Sequence, residues 1–169
     1  MGKNAYTFGP EIEGQTLSEA HRRYFEKAVK PKGVICPCCK RFGKVYARKF
    51  NSGMAMQVIN LYRHKDEGFI HLPSTGTRHI LKDNQVGKLV FWGMAIAQPN
   101  PDNPAKNKSG YWKITDRGIA FVENRISVWS HVIEYNQIIQ GFREKKRITI
   151  SDALGRPFHY QELMKDSPP

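Results

Sequence analysis

Apolar residues recur at helical spacing near the start of the chain. Leu17, Ala20, Tyr24 and Ala28 fall at three- and four-residue steps and predict a helix over 17–29. Thr16 and Glu19 form a capping box at its start, and Pro31 stops it. Val45 and Ala47 then alternate with Tyr46 and Arg48, which predicts a short strand within 43–50. A second helix, capped by Asn51 or Ser52, reaches about residue 64, with Ala55, Val58, Ile59 and Tyr62 on one face. A brief strand over 69–72 ends at Pro73. Residues 77–82 leave room for about one helical turn before Asp83 or Asn84 caps a helix over 85–92; the alternative is one long helix over 78–92. Residues 94–97 and 111–115 read as strands separated by a polar insert, and a new helix starts at Asp116.

Three more strands are predicted downstream. Residues 131–135 and 138–142 are joined at Asn136-Gln137, where Asn tolerates the positive φ of a tight hairpin, and 147–150 supplies the third. Their simplest arrangement is a three-stranded β meander, followed by a short capped turn over 151–154 and a disordered end at 167–169. The pattern describes an α+β chain in three parts: a basic segment 1–50 with a helix and a cysteine turn, a central domain 51–124, and a meander with its tail, 125–169.

Charge sharpens this picture. The net charge of +12 favours a polyanionic partner. Its placement is uneven: residues 21–49 hold ten Lys/Arg against one acid, whereas 123–169 hold seven against six, so the electropositive surface belongs to the N-terminal and central parts. No run of eighteen apolar residues predicts a membrane span, and the first residues lack the apolar stretch of a secretory signal, so a cytoplasmic protein is expected. All three cysteines lie in Cys36-Pro37-Cys38-Cys39, which leaves no distant disulfide partner and fits a reducing compartment.

The order from Asn84 to Phe121, a helix closing on Trp92-Gly93, a strand, a polar insert, a second strand and a new helix, resembles the winged helix-turn-helix. Ile114-Thr115-Asp116-Arg117-Gly118 is similar to the Leu/Ile-Thr-x-x-Gly run after the wing of MarR-type proteins. Thr115 suits a helix cap, and Gly118 suits close packing of that helix on its neighbour. The chain departs from the family in the reduced space for the helix before the recognition helix. The resemblance implies a nucleic-acid-binding protein, double-stranded DNA foremost, acting as a transcriptional regulator or as a phage or mobile-element accessory factor. It places Asn84, Gln85 and Lys88, with Arg78 and Lys82 beside them, on the face that reads bases, because Asn and Gln can bond adenine edges and Lys guanine or phosphate. It makes 98–110 the wing, with Lys106 and Lys108 against the backbone or minor groove. Arg22, Arg23, Lys40, Arg41, Lys44 and Arg48 would add phosphate contacts. Dimerisation is common among MarR-like proteins, and the first helix or the meander edge offers an interface for a homodimer.

Winged helices also mediate protein contacts, so an interaction module or inhibitor engaging an acidic protein is the alternative. Cys36 and Cys39 stand at the spacing of a zinc knuckle and resemble half a zinc ribbon, although Lys40 follows where that pattern tends to carry glycine. A complete site needs two more ligands, from the histidines or from the same cysteine pair of a second subunit. A reactive dithiol and a purely structural turn remain open beside zinc. The basic-aromatic runs at 22–25 and 44–50 suit single strands, which makes a zinc-dependent RNA or single-strand binder a third reading. No nucleophile elbow, phosphate-binding glycine loop, paired metal-binding histidines or carboxylate cluster is present, so the chain is not expected to be an enzyme.

Overall fold

The computed structural model describes residues 14–36, 39–75, 85–100, 110–143 and 146–155. In chain order its elements are α1 (Leu17–Ala28), β1 (Val34–Ile35), β2 (Phe42–Gly43), β3 (Tyr46–Lys49), α2 (Ser52–Arg63), β4 (Ile70–His71), α3 (Leu72–Thr75), α4 (Val86–Leu89) continued by a 3₁₀ turn (Val90–Trp92), β5 (Ala95–Ala97), β6 (Tyr111–Ile114), α5 (Asp116–Val122), β7 (Val128–Trp129), β8 (His131–Tyr135), β9 (Ile138–Phe142), β10 (Arg147–Ile148) and α6 (Ile150–Leu154). A 3₁₀ turn, Lys65–Glu67, follows α2. The fold is α+β, with small sheets of two or three strands. No described helix is long and apolar enough to cross a membrane. The chain forms two compact units, one from the residues up to Arg48 together with Ile133–Gly141, the other from Lys49–Val132 together with the residues from Phe142 onward.

In the first unit, α1 starts as predicted: the Glu19 amide donates to Thr16 Oγ1 (3.3 Å) and the Thr16 amide donates to Glu19 Oε2 (2.9 Å). Bonds from the Thr16 side chain and backbone hold the Glu19 carboxyl below its ordinary range. The Val45 amide donates to the Ala28 carbonyl, tying the strand region to the end of this helix. β1 and β2 pair antiparallel, Val34 with Gly43 and Ile35 with Phe42, and so close the cysteine turn. Tyr135 on β8 receives Tyr24 and Phe25 edge-on, at centroid distances of 6.2 and 5.4 Å. Ala28 is the one fully enclosed apolar side chain among the described residues of this unit.

The C-terminal strands differ from the predicted meander. β8 and β9 form the expected hairpin, but β8 lies between β9 and β3, while β10 pairs antiparallel with β7, Arg147 opposite Trp129 and Ile148 opposite Val128. The physical reason lies in the apolar residues: Val128 and Ile148 are both buried, and pairing their strands delivers both to one core. The hairpin turn is as read, with Asn136 at φ 50° and Gln137 at φ 63°. Glycine adopts such angles without the Cβ penalty, so Gln137→Gly should stabilise the hairpin by about 0.5–1 kcal/mol. Slower hydrogen exchange of the β8 and β9 amides would register the gain; faster exchange would refute it.

The second unit is built around α2. Asn51 caps it, accepting from the Met54 amide at 3.0 Å. Met54, Ala55, Val58, Ile59 and Leu61 are all buried, and so are Gln57 and Asn60, because this helix is packed around most of its circumference by α4, α5, α6 and β6. Phe50, Trp92 and Phe121 form an aromatic group in the same core. Beside it lies an antiparallel sheet in the order β4-β6-β5, with Ile70 opposite Trp112 and Ala95 opposite Ile114. Along β6, Trp112 and Ile114 are buried while Tyr111 and Lys113 face out, the alternation of a sheet covered on one side. The helix before β5 begins at Val86, with Gln85 at the N-cap position at φ −105°, ψ 7° and no side-chain cap bond. It therefore starts one residue later than expected and does not continue unbroken into a helix over 78–92. Asp83 and Asn84, the expected caps, lie outside the described residues.

Candidate nucleic-acid interface

Three buried side chains set the orientation of the segment before β5. Val86, Leu89 and Trp92 recur every third residue, are each at most 3% exposed, and turn into the core. Trp92 is pinned further by its indole N–H, which donates to the Trp129 carbonyl at 2.7 Å. Gly93, at φ 68°, ends the 3₁₀ turn, and the chain enters β5.

Gln85 and Lys88 are left on the outer side, both half-buried. They are not independent groups. Gln85 Oε1 accepts from Asn51 Nδ2 at 3.3 Å and from Lys88 Nζ at 3.5 Å. Its amide oxygen links the caps of α2 and α4, and reading an adenine with both ends of the amide would require releasing those bonds. Lys88 stands beside it as a positive charge with two further donors.

After β5, the Gln98 amide donates to the Tyr111 carbonyl at 2.9 Å, so pairing extends past β5 into the insert. Arg78, Lys82, Asn84, Lys106 and Lys108 lie outside the described residues. Lys113, outside the predicted set, faces out on β6 opposite Ile96. Strand alternation held that signal, because Trp112 and Ile114 claim the inner face. Arg117 is also outside the predicted set; its Nε donates to the Trp92 carbonyl at 2.9 Å, so it serves the end of the 3₁₀ turn.

The remaining predicted cations belong to the first unit. Arg22 and Arg23 are exposed on α1, and Lys40 and Arg41 are exposed at the cysteine turn. Lys44 Nζ lies 5.6 Å from the Tyr46 ring centroid. Arg48 is already paired: its Nε donates to the carboxylate of Glu134, which is 3% exposed, and its guanidinium lies 4.9 Å from the Tyr46 centroid. A buried carboxylate needs a partner, and Arg48 supplies it. Glu134 also accepts from the Gln137 amide at 2.6 Å, at the hairpin turn.

The cysteine turn has a defined shape. The Cys36 amide donates to the Arg41 carbonyl at 2.8 Å, the Lys40 amide donates to the Cys36 carbonyl at 2.9 Å, and Lys40 sits at φ 57°. That is the left-handed conformation for which glycine is the ordinary choice. Cys36 and Cys39 border a cavity of about 490 Å³ that His21 and Tyr24 also line. Burial, then the hydrogen bond and charge of Tyr135, then the neighbouring Cys36 and Cys39 push the Tyr24 phenol well above its ordinary range. Among the described residues no group of three or more His, Cys, Asp or Glu is gathered as a metal site. The chain matches no protein-family model, no curated protein and no solved structure.

Proposed function

We propose that the second unit is a winged helix and that the protein binds nucleic acid through it, double-stranded DNA in the first instance, without catalysing a reaction. The observation that carries this reading is topological. A capped helix, a short strand, the helical segment 86–92 and an antiparallel strand pair follow one another, and the first strand pairs with the last to give the order β4-β6-β5. A winged helix has its sheet strands in this order, and on this reading the segment 86–92 takes the place of the recognition helix. The basic composition supports a phosphate-bearing partner. A transcriptional or mobile-element role, and a homodimer on DNA, are consistent with this reading.

In this reading Lys88 and Lys113 contact phosphates, and the Gln85 amide keeps Lys88 in place. The test is a salt titration of duplex binding by fluorescence anisotropy. Lys88→Glu should weaken binding about tenfold or more at low salt and lower the slope of log K against log salt by about one. No duplex binding at low salt, or an affinity indifferent to salt, would refute the reading. Unchanged duplex binding by Lys88→Glu would move the interface elsewhere and favour an acidic protein as the partner of this face.

A further inference from the structure

The described residues of the first unit hold little of what usually keeps so small a body together. Among its described residues only Ala28 is a buried apolar side chain, while Leu17, Ile35, Phe42 and Ile138 are each more than half exposed. Small units with little core are commonly completed by a metal, a disulfide or a second subunit. The cysteine turn has the means for the first and the third together. We propose that Cys36 and Cys39 bind half of a zinc site and that a second copy of this chain supplies the other half, so that one ion joins two chains.

Three observations support this. The first is the turn itself: two cysteines at knuckle spacing between paired strands β1 and β2, with the Cys36 carbonyl receiving the Lys40 amide and Lys40 held in the left-handed conformation. The second is stoichiometry. A closed structural zinc site takes four ligands in a tetrahedron, and a ribbon builds it from two facing knuckles. A twofold axis through the metal supplies the second knuckle from an identical chain, in the commonest symmetry of homo-oligomers. The third is the surroundings. Ile35 and Phe42, cross-strand partners flanking the turn, are each 55% exposed and form an apolar shoulder that a facing copy would cover. Exposed Lys40 and Arg41 provide positive charge where four thiolates around Zn²⁺ leave a net charge of −2. On binding, each of the four thiols releases its proton to solvent and its sulfur takes up the metal, with no change of oxidation state.

The proposal stands apart from duplex binding and can be tested apart from it. The full chain is purified under reducing conditions and loaded with zinc, and metal content is measured alongside native mass. One zinc per two chains is expected, with monomers appearing when a chelator removes the metal. Cys36→Ser and Cys39→Ser should each lose the metal and the dimer, whereas Cys38→Ser keeps both. Cobalt substitution should give thiolate-to-metal charge-transfer absorption of a four-sulfur tetrahedral site. Trp92, Trp112 and Trp129 all lie in the second unit, so an unchanged tryptophan spectrum separates metal loss from general unfolding. One zinc per single chain, no bound zinc, a Cys36–Cys39 disulfide in place of metal, or a dimer that survives Cys36→Ser would each overturn the proposal.

Discussion

Phe50→Ala should destabilise the second unit by about 3–5 kcal/mol, the largest loss expected from truncating a single side chain in this protein. Phe50 has no exposed surface, and its ring is met edge-on by Trp92 at 5.1 Å and by Phe121 at 5.3 Å between centroids. Its backbone amide donates to the Ser130 carbonyl at 2.9 Å, so the main chain is fixed at this point and cannot readily collapse into the space a missing ring leaves. Two aromatic contacts are lost together with the buried area. A domain is stable by only about 5–15 kcal/mol, so this one change removes a large share. Urea unfolding followed by tryptophan fluorescence measures it, with Trp92 in direct contact as the reporter. Phe50→Leu, which keeps most of the volume, should lose much less. A loss under about 1 kcal/mol for Phe50→Ala would mean that the aromatic group is not the centre of this core. The variant also bears on the interface, because Trp92 closes the segment that presents Lys88. Duplex affinity should fall with the folded fraction and recover when low temperature or a stabilising osmolyte restores it.

Much of the second unit was legible because its signals are local. Asn51 as a cap, the helical face with Ala55, Val58 and Ile59, the turn at Gly93 and the cap at Thr115 each depend on residues within a few positions of one another. The helical face of α2 was underread. Periodicity marked four residues, but a helix surrounded by its neighbours also buries Gln57 and Asn60, which no amphipathic pattern announces. A strand at 147–150 is readable, but its pairing with β7 is not, since the two residues Val128 and Trp129 are too few for alternation to declare a strand.

The candidate site divides in the same way. Lys88 is outward, as the helical reading required, because Val86 and Leu89 take the inner face. The commitment of Arg48 to Glu134 joins residues 86 positions apart, and nothing in the composition around Arg48 distinguishes it from Lys44 or Lys49. The engagement of the Gln85 oxygen by Asn51, 34 residues earlier in the chain, is hidden from the sequence in the same way. Charge counts locate a basic surface, but they do not show which cations are already paired.

Gly118→Ala should lower stability by about 1–3 kcal/mol, although helix propensity alone favours alanine by about 1 kcal/mol. The run Ile114-Thr115-x-x-Gly118 explains the sign. The Thr115 hydroxyl donates to the Gly93 carbonyl at 2.6 Å and accepts from the Gly118 amide at 3.1 Å, while the Thr115 amide donates to the Met94 carbonyl at 3.1 Å. These bonds draw the first turn of α5 down onto the start of β5. A Cβ at residue 118 would then collide with the Met94 carbonyl oxygen and lie 2.7 Å from Ile114 Cγ1. The isoleucine could rotate away, but the carbonyl is backbone and already accepts from Thr115, so α5 itself would have to lift. Adding Ile114→Ala to the variant should therefore restore little, since it removes the yielding neighbour and leaves the rigid one. Thermal unfolding of the single and double variants decides the matter. A Gly118→Ala protein more stable than the parent would show that helix propensity outweighs the contact, and that the helix following the hairpin is free to stand further from it.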